Sequence, residues 1–286
     1  MLALIALLAI AHPSGMLAIP SGTFARGRDD SARPDEIPRH HVHVDAFLID
    51  ATLVTRADFA RFVDAMRYQT SAEKLGFGMV AVEGMDDWKW DQVKGANWRK
   101  PFGDRKTEYV PRDDDPVTMV SWDDADAYCR WAHKRLPTEA ELEYAARAGK
   151  SDTRFPWGDL PYLPGTKKLG CNFWQGRTHH ADTREDGYLY VSPVRAFPPN
   201  AFGLFDPVGN VWQWTSDWYS ETYYAETARD PDLAQNPAGP KTGAKKVARG
   251  GSWWCSKTTC QGFGLYYRGK NEPDAPFNNN GFRCAK

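Results

Sequence analysis

No long hydrophobic run, internal repeat, low-complexity tract or Ser/Gly-rich linker occurs in this sequence. Its longest apolar stretch covers residues 2–11. A membrane-spanning helix needs about 20 apolar residues, so no stable membrane span is expected. Excess charge of either sign is also missing: 36 Lys and Arg face 37 Asp and Glu, a net charge of −1. That excludes the broad basic surface of a typical nucleic-acid binder. Cysteine is sparse and odd in number, five in 286 residues. A disulfide-dense scaffold is thereby excluded, and at least one thiol must be free, metal-bound or catalytic.

The chain is rich in turn formers and large aromatics, with 24 Gly, 20 Pro and 12 Trp. This composition predicts loops pinned by aromatic side chains around few regular elements, a single α+β domain over residues 17–286. Residues 1–16 read as a signal-like apolar leader, with Ala9-Ile10-Ala11 as a small-x-small cleavage site, although no Lys or Arg precedes the run. Period-two alternation predicts a strand over residues 41–49. Hydroxyl-plus-acid signatures at Thr55, Ser121 and Thr138 predict three helix starts. The first helix would bury Phe59, Phe62, Val63 and Met66, the second Tyr128, Cys129 and Trp131, the third Leu142, Tyr144 and Ala145. Beyond Gly149 no helix is expected.

Cys255 and Cys260 stand in Cys-Ser-Lys-Thr-Thr-Cys, directly after Gly250-Gly251-Ser252. Two thiolates on a turn-bounded segment suit a soft ion such as Cu(I); a structural disulfide is the other reading. Zinc would call for a second pair at similar spacing, and the sequence has none. His40, His41 and His43 cluster on one strand and are expected to be solvated rather than ligating; His179-His180 sit in a loop.

Blocks spread through the chain carry a resemblance. They include Ile19-Pro20-Ser21-Gly22-Thr23-Phe24, Lys134-Arg135-Leu136-Pro137-Thr138-Glu139-Ala140-Glu141 and Asn172-Phe173-Trp174-Gln175-Gly176. Stronger still are Gly209-Asn210-Val211-Trp212-Gln213-Trp214-Thr215-Ser216-Asp217-Trp218, Arg249-Gly250-Gly251-Ser252 and Gly281-Phe282-Arg283-Cys284-Ala285. Together they resemble the formylglycine-generating enzymes, also called sulfatase-modifying factors. The resemblance implies a single domain of low regular secondary structure, distantly related to C-type lectin folds. It also implies an enzyme that oxidises a cysteine of a target protein to formylglycine with molecular oxygen and a copper ion. The copper-binding cysteines fall on Cys255 and Cys260, with Ser252 and Trp212 lining the pocket. A disulfide is implied between Cys129 and Cys284; a second one found in some relatives is replaced by Ala146 and Leu265, which leaves Cys171 as a buried free thiol. Two calcium sites are implied. One uses Asn172, the Phe173 carbonyl, Asp186 and the Tyr188 carbonyl; the other uses Asp206, the Gly209 and Val211 carbonyls, and Gln213.

The match weakens around the second cysteine. Relatives place a His after the first cysteine, a Tyr before the second and Arg residues after it, where this chain has Ser256, Thr259 and Gln261-Gly262-Phe263-Gly264. Those positions border the groove for a Cys-x-Pro-x-Arg segment of a sulfatase precursor. The expected alternatives are therefore a copper oxidase acting on another thiol, or a non-catalytic binding module on the same scaffold. An exported or otherwise oxidising compartment is expected, with a cytoplasmic one as the alternative.

Overall fold

The computed structural model describes residues 15–258 and 262–286. Residues 1–14 of the expected leader, and Thr259, Cys260 and Gln261, lie outside the described residues. No helix among the described residues is long and apolar enough to cross a membrane.

Strands β1 (Met16–Ile19), β2 (Gly22–Arg26), β3 (His40–Val44) and β4 (Phe47–Asp50) pair antiparallel, β1 with β4 and β2 with β3. The expected single strand over 41–49 is therefore two, broken at Asp45-Ala46 and belonging to different pairs. Val42 and Val44 point inward and His41 outward, as alternation requires. His40, expected to be solvated, is instead buried on the inward face between the Pro38 carbonyl and the Thr227 hydroxyl.

Helices α1 (Arg56–Met66), α2 (Ser71–Leu75), α3 (Trp122–Trp131) and α4 (Glu139–Arg147) each open on a reciprocal capping box, from Thr55/Asp58, Thr70/Glu73, Ser121/Asp124 and Thr138/Glu141. In each, a hydroxyl and a carboxylate satisfy orphan backbone donors, which fixes where the helix begins. The short α2 leads into the hairpin β5 (Phe77–Val80) and β6 (Asp91–Lys94). Phe59, Phe62 and Val63 are buried as expected, but Met66 is 57% exposed because α1 ends there in a left-handed cap at Arg67. Cys129 of α3 is bonded to Cys284, 155 residues away, with Cα atoms 5.8 Å apart. The last residues are stitched into the first half: Leu48 and Lys286 exchange backbone hydrogen bonds at 2.9 and 2.8 Å.

The second half is built on a sheet of β7 (Trp212–Trp218), β8 (Lys246–Arg249), β9 (Arg268–Asn271) and β10 (Asn280–Gly281), in the order β10-β7-β8-β9. Only the β10–β7 pairing is parallel. One helix, α5 (Tyr223–Arg229), does lie beyond Gly149, correcting the expectation of none. Thr222 at its start makes no side-chain capping bond, so it lacks the signature that marks the other four.

α4 packs on this sheet with its polar residues as buried as its apolar ones. Glu139 and Glu143 are enclosed by Arg26 of β2, Arg147 of α4, Arg249 of β8 and Arg268 of β9. The closest approaches are 2.7 Å from Arg26 to Glu139, 2.7 Å from Arg268 to Glu139, 2.9 Å from Arg249 to Glu143 and 2.7 Å from Arg147 to Glu143. The Arg26 and Arg268 guanidinium groups also flank the Tyr224 ring of α5 at 4.2 and 4.3 Å. Burial opposes ionisation of Glu139, but the surrounding arginines outweigh it and hold its carboxyl below the usual range. Asp217 of β7, buried beside Glu139 and accepting its backbone N–H at 2.8 Å, is pushed up to about 7 by burial and by the Glu139 charge.

Removing one partner of such a network leaves buried charge uncompensated. Glu139→Gln is expected to lower unfolding free energy by about 3–5 kcal/mol in urea titrations; a loss under ~1 kcal/mol would show the cluster to be dispensable. Asp217 behaves oppositely with pH. Its folded value near 7 exceeds the unfolded value of about 4, so its stabilising contribution is full below about 4 and lost as pH rises through about 7. Relative to wild type, Asp217→Asn should therefore gain stability between pH 5 and pH 8. Equal urea midpoint differences at both pH values would refute the assignment.

Candidate active site

β8 ends at Arg249, and Gly250 and Gly251, both at positive φ (91° and 75°), turn the chain into the segment that carries Ser252 and Cys255. A Cβ on Gly251 would stand 2.4 Å from the Gly262 carbonyl carbon, so only glycine lets these two backbone segments meet beside Cys255. Cys255 is 1% exposed. Its carbonyl accepts the Trp174 N–H at 2.9 Å, and its N–H donates to the Ser252 carbonyl at 3.0 Å. The Ser252 hydroxyl, fully buried, accepts from Asn279 Nδ2 at 3.0 Å and from the Trp254 N–H at 3.3 Å. It lies 3.9 Å from Cys255 Sγ, leaving its own proton to offer the sulfur. The Trp212 ring packs over Gly262, where a Cβ would lie 2.7 Å from the ring and 3.2 Å from Cys255 Sγ. The sequence-derived set Cys255, Ser252 and Trp212 thus converges. Cys255 is not a free thiol here, and Cys260 lies outside the described residues.

Cys255 and Trp212 line a cavity of about 400 Å³, walled also by Trp90, Trp254, Tyr267 and Phe277. Trp90 sits edge-on to Phe277 at 5.0 Å, and Trp212 approaches Tyr267 at 5.6 Å. A second cavity, of about 630 Å³, shares Arg33, Trp88 and Tyr267 with the first, so the two form one groove.

His179, read from sequence only as a loop residue, belongs to this site. It is 1% exposed and stacks on Trp254 at 3.8 Å. One ring nitrogen lies 2.6 Å from Asp87 and the other 2.7 Å from the Trp254 carbonyl. The segment carrying Trp88 and Trp90 is thereby tied to the residue preceding Cys255. Nothing in the spacing of His179 signals this, because its partners lie 92 and 75 residues away.

No group of three or more His, Cys, Asp or Glu side chains among the described residues is placed to hold a metal ion. The two implied calcium sets, however, rest largely on carbonyl and amide oxygens. In the first, the Phe173 carbonyl and the Asp186 carboxylate converge on one point, which the Gln175 side-chain amide fills. Asp186 also accepts from the Phe173 N–H at 3.1 Å and the Tyr188 N–H at 2.9 Å, and burial pushes it up to about 6. Asn172 turns its amide nitrogen to the Tyr190 carbonyl at 2.7 Å. Convergent hard oxygens around a small donor fit a hard cation. The second set is occupied differently. Gln213 donates its amide N–H to the Asp206 carbonyl at 3.0 Å and accepts from Arg283 Nε at 2.7 Å, while Arg283 also donates to that Asp206 carbonyl at 2.9 Å. The Asp206 carboxylate takes Asn210 Nδ2 at 3.2 Å and the Arg195 N–H at 3.4 Å. A buried guanidinium already supplies positive charge there, and calcium fits this set poorly. Gly209 closes onto the first set, since a Cβ on it would stand 2.4 Å from the Asn172 carbonyl oxygen. Val211 is fully buried beside it. Asn210, unassigned by sequence, bridges the two sets at φ 63°, receiving the Ser192 N–H at 3.0 Å.

The remaining cysteine follows expectation. Cys171 is free and buried, and burial raises its thiol well above the ordinary value. Ala146 and Leu265 share one apolar cluster with Cys171 and Cys255.

Comparison with known proteins yields consistent matches. The family model described as sulfatase-modifying factor enzyme 1-like domain matches residues 8–286. A formylglycine-generating enzyme of Streptomyces coelicolor is 45% identical, over 95% of this chain and 88% of its own length. One from Bos taurus is 43% identical, over 96% of this chain and 75% of its own. Among solved structures, PvdO from Pseudomonas aeruginosa superposes with a TM-score of 0.69 at 26% identity, covering 94% of this chain and 93% of that one.

The close approach at Gly251 gives a direct test. Gly251→Ala should cost about 1–3 kcal/mol from backbone conformation alone, plus the clash with Gly262. Gly165→Ala, at φ 69° with nothing within 4 Å, isolates the conformational part. Equal losses of thermal stability in the two variants would show that the approach beside Cys255 constrains nothing.

Proposed function

The chain belongs to the sulfatase-modifying factor family, and from that premise we propose that it oxidises a cysteine of a target polypeptide to formylglycine, with molecular oxygen as the oxidant. Sulfatase precursors are the substrate class its relatives suggest. The observation that carries this reading is the buried Cys255 sulfur in the wall of an aromatic cavity, 3.9 Å from a hydroxyl held by Asn279.

Reduced Cys255, with Cys260, would hold Cu(I). The donor chemistry supports this, because the described surroundings of the sulfur are aromatic rings, glycine and a hydroxyl, with no carboxylate to favour a hard ion. When bound, copper would supply capture of the target thiol and transfer of electrons to oxygen. The protein's own groups then have separable tasks. Trp212, Trp254 and Trp90 exclude bulk water around the target carbon. Ser252, its acceptor sites filled by Asn279 and the Trp254 N–H, presents a proton toward sulfur. Two electrons and two protons pass from the target Cβ–H and S–H to oxygen, leaving a thioaldehyde; two thiols of a reductant supply the other two electrons and protons that carry oxygen to water and are oxidised to a disulfide. Hydrolysis of the thioaldehyde then exchanges sulfur for the aldehyde oxygen and releases sulfide. Calcium is proposed at the Phe173/Asp186 set, supported by the convergence of their oxygens. An oxidising compartment is the proposed setting, supported by the Cys129–Cys284 bridge.

Copper-loaded wild type should produce an aldehyde, captured by a hydrazide probe, from a peptide bearing Cys-x-Pro-x-Arg. Cys255→Ser should produce none. Aldehyde formation undiminished by Cys255→Ser would overturn the reading, and none from wild type with any thiol peptide would favour the binding-module alternative. For calcium, added Ca²⁺ should raise the wild-type melting temperature and chelator should lower it, while Asp186→Asn abolishes the shift. An equal shift in that variant would exclude the site.

A further inference from the structure

A polypeptide entering the cavity beside Cys255 brings a backbone N–H and C=O from each residue, and these need partners once water is gone. Trp90, Trp212, Trp254 and Phe277 line that cavity and present mainly carbon. Several polar groups in the same wall are already committed. Arg268 pairs with Glu139 at 2.7 Å and Arg33 with Glu36 at 3.0 Å. Asn279 donates to Ser252 at 3.0 Å, and the two His179 nitrogens are engaged by Asp87 and the Trp254 carbonyl.

Two residues of the wall carry polar atoms that are not. Asn280 is 1% exposed and Trp254 is 5% exposed, and both line this cavity. Among the described residues, neither Oδ1 nor Nδ2 of Asn280 has a hydrogen-bond partner, and neither does Nε1 of Trp254. Sheet register accounts for the placement of Asn280. β10 runs parallel to β7 with Asn280 opposite Trp212, and directly paired residues project from the same face. On that face the Trp212 ring lies against Gly269, where a Cβ would stand 2.9 Å from it. Ala248, paired with Gly269, lines the cavity as well. Asn280 is thus the polar member of a floor otherwise made by Trp212, Ala248 and Gly269. A buried amide with no partner destabilises the free protein, and an apolar side chain of similar volume would avoid that penalty.

We propose that Asn280 is a positioning residue that binds the main chain of the target segment, its amide pairing with the N–H and C=O of one extended residue, while the Trp254 indole N–H takes a second carbonyl of the same segment. The inference rests on the reading that a peptide cysteine is delivered to Cys255. An extended residue presents its N–H and C=O on one side, as in a hydrogen-bonded antiparallel pair. A primary amide offers a donor and an acceptor in one plane, and the torsion that turns it is soft, so pairing requires no backbone movement. Such a contact reads no side chain. It fixes how far the cysteine reaches toward Cys255 and leaves its neighbours free to vary.

The test uses a fluorescent peptide bearing Cys-x-Pro-x-Arg for turnover and its Cys→Ser version for binding. A series of the binding peptide replaces successive backbone amides, other than the one at proline, by esters, each removing one N–H. Asn280→Leu should raise the melting temperature, because an unpaired amide leaves the interior, and should weaken Kd about tenfold. The loss in turnover should fall on KM more than on kcat. One ester should weaken binding to wild type yet leave binding to Asn280→Leu unchanged, the mark of a direct contact. Trp254→Phe, which keeps a ring and loses the N–H, should weaken Kd about threefold; an unchanged Kd there would remove the second contact. An unchanged Kd in Asn280→Leu, a lower melting temperature in that variant, or equal ester losses in the two proteins would overturn the proposal. Absence of aldehyde from wild type would instead strike the formylglycine reading, and the binding series would still decide the role of Asn280.

Discussion

Two buried glutamates hold this molecule's irregular parts in one place. Among the described residues regular structure is short: the longest strand is β7 with seven residues, and four-residue strands such as β8 and β9 have little independent stability. Glu139 and Glu143 gather arginines from β2, β8, β9 and their own helix, while Tyr224 of α5 is inserted between two of those guanidinium groups. Each contact alone contributes modestly after desolvation. Their joint geometry matters more, because it fixes the angle between α4 and the sheet whose next turn carries Ser252 and Cys255. Arg249 belongs to the cluster and also donates to the Leu265 carbonyl at 2.6 Å. The electrostatic centre is thereby linked to both flanks of the cysteine turn.

How much of this could be read beforehand depended on range. Capping boxes at Thr55, Ser121 and Thr138 are local, complete within four residues, and give helix starts that the structure reproduces. α2 carries the same signature at Thr70 but is too short to show an apolar period, and α5 lacks the cap altogether. β7 was hidden for a different reason. Its Gln213, Thr215 and Asp217 are buried, so polar residues occupy positions that a strand usually fills with apolar ones, and Ser216 interrupts the alternating tryptophans. The charge cluster was invisible because Arg26, Glu139, Arg249 and Arg268 come from distant segments, and a buried arginine looks like any other in sequence.

The site shows the same division. Gly250-Gly251-Ser252 and the position of Cys255 were legible because backbone constraint leaves glycine no substitute there. His179 was not, since only the folded chain brings Asp87 and the Trp254 carbonyl to its two nitrogens. The second cation set implied by the resemblance, built on Asp206 and Gln213, illustrates a further limit. Ligand types at plausible spacing do not reveal that Arg283, from the far end of the chain, donates to the same oxygens.

That far end has a consequence for biosynthesis. Lys286 exchanges backbone bonds with Leu48, Ala285 with Arg135, and Cys284 closes onto Cys129. Strand partners for residues near the beginning are therefore translated last. Until residues 284–286 have emerged from the ribosome, a nascent chain leaves the edge at β4 unpaired and Cys129 without its partner. A holding chaperone would find its binding surface in that interval.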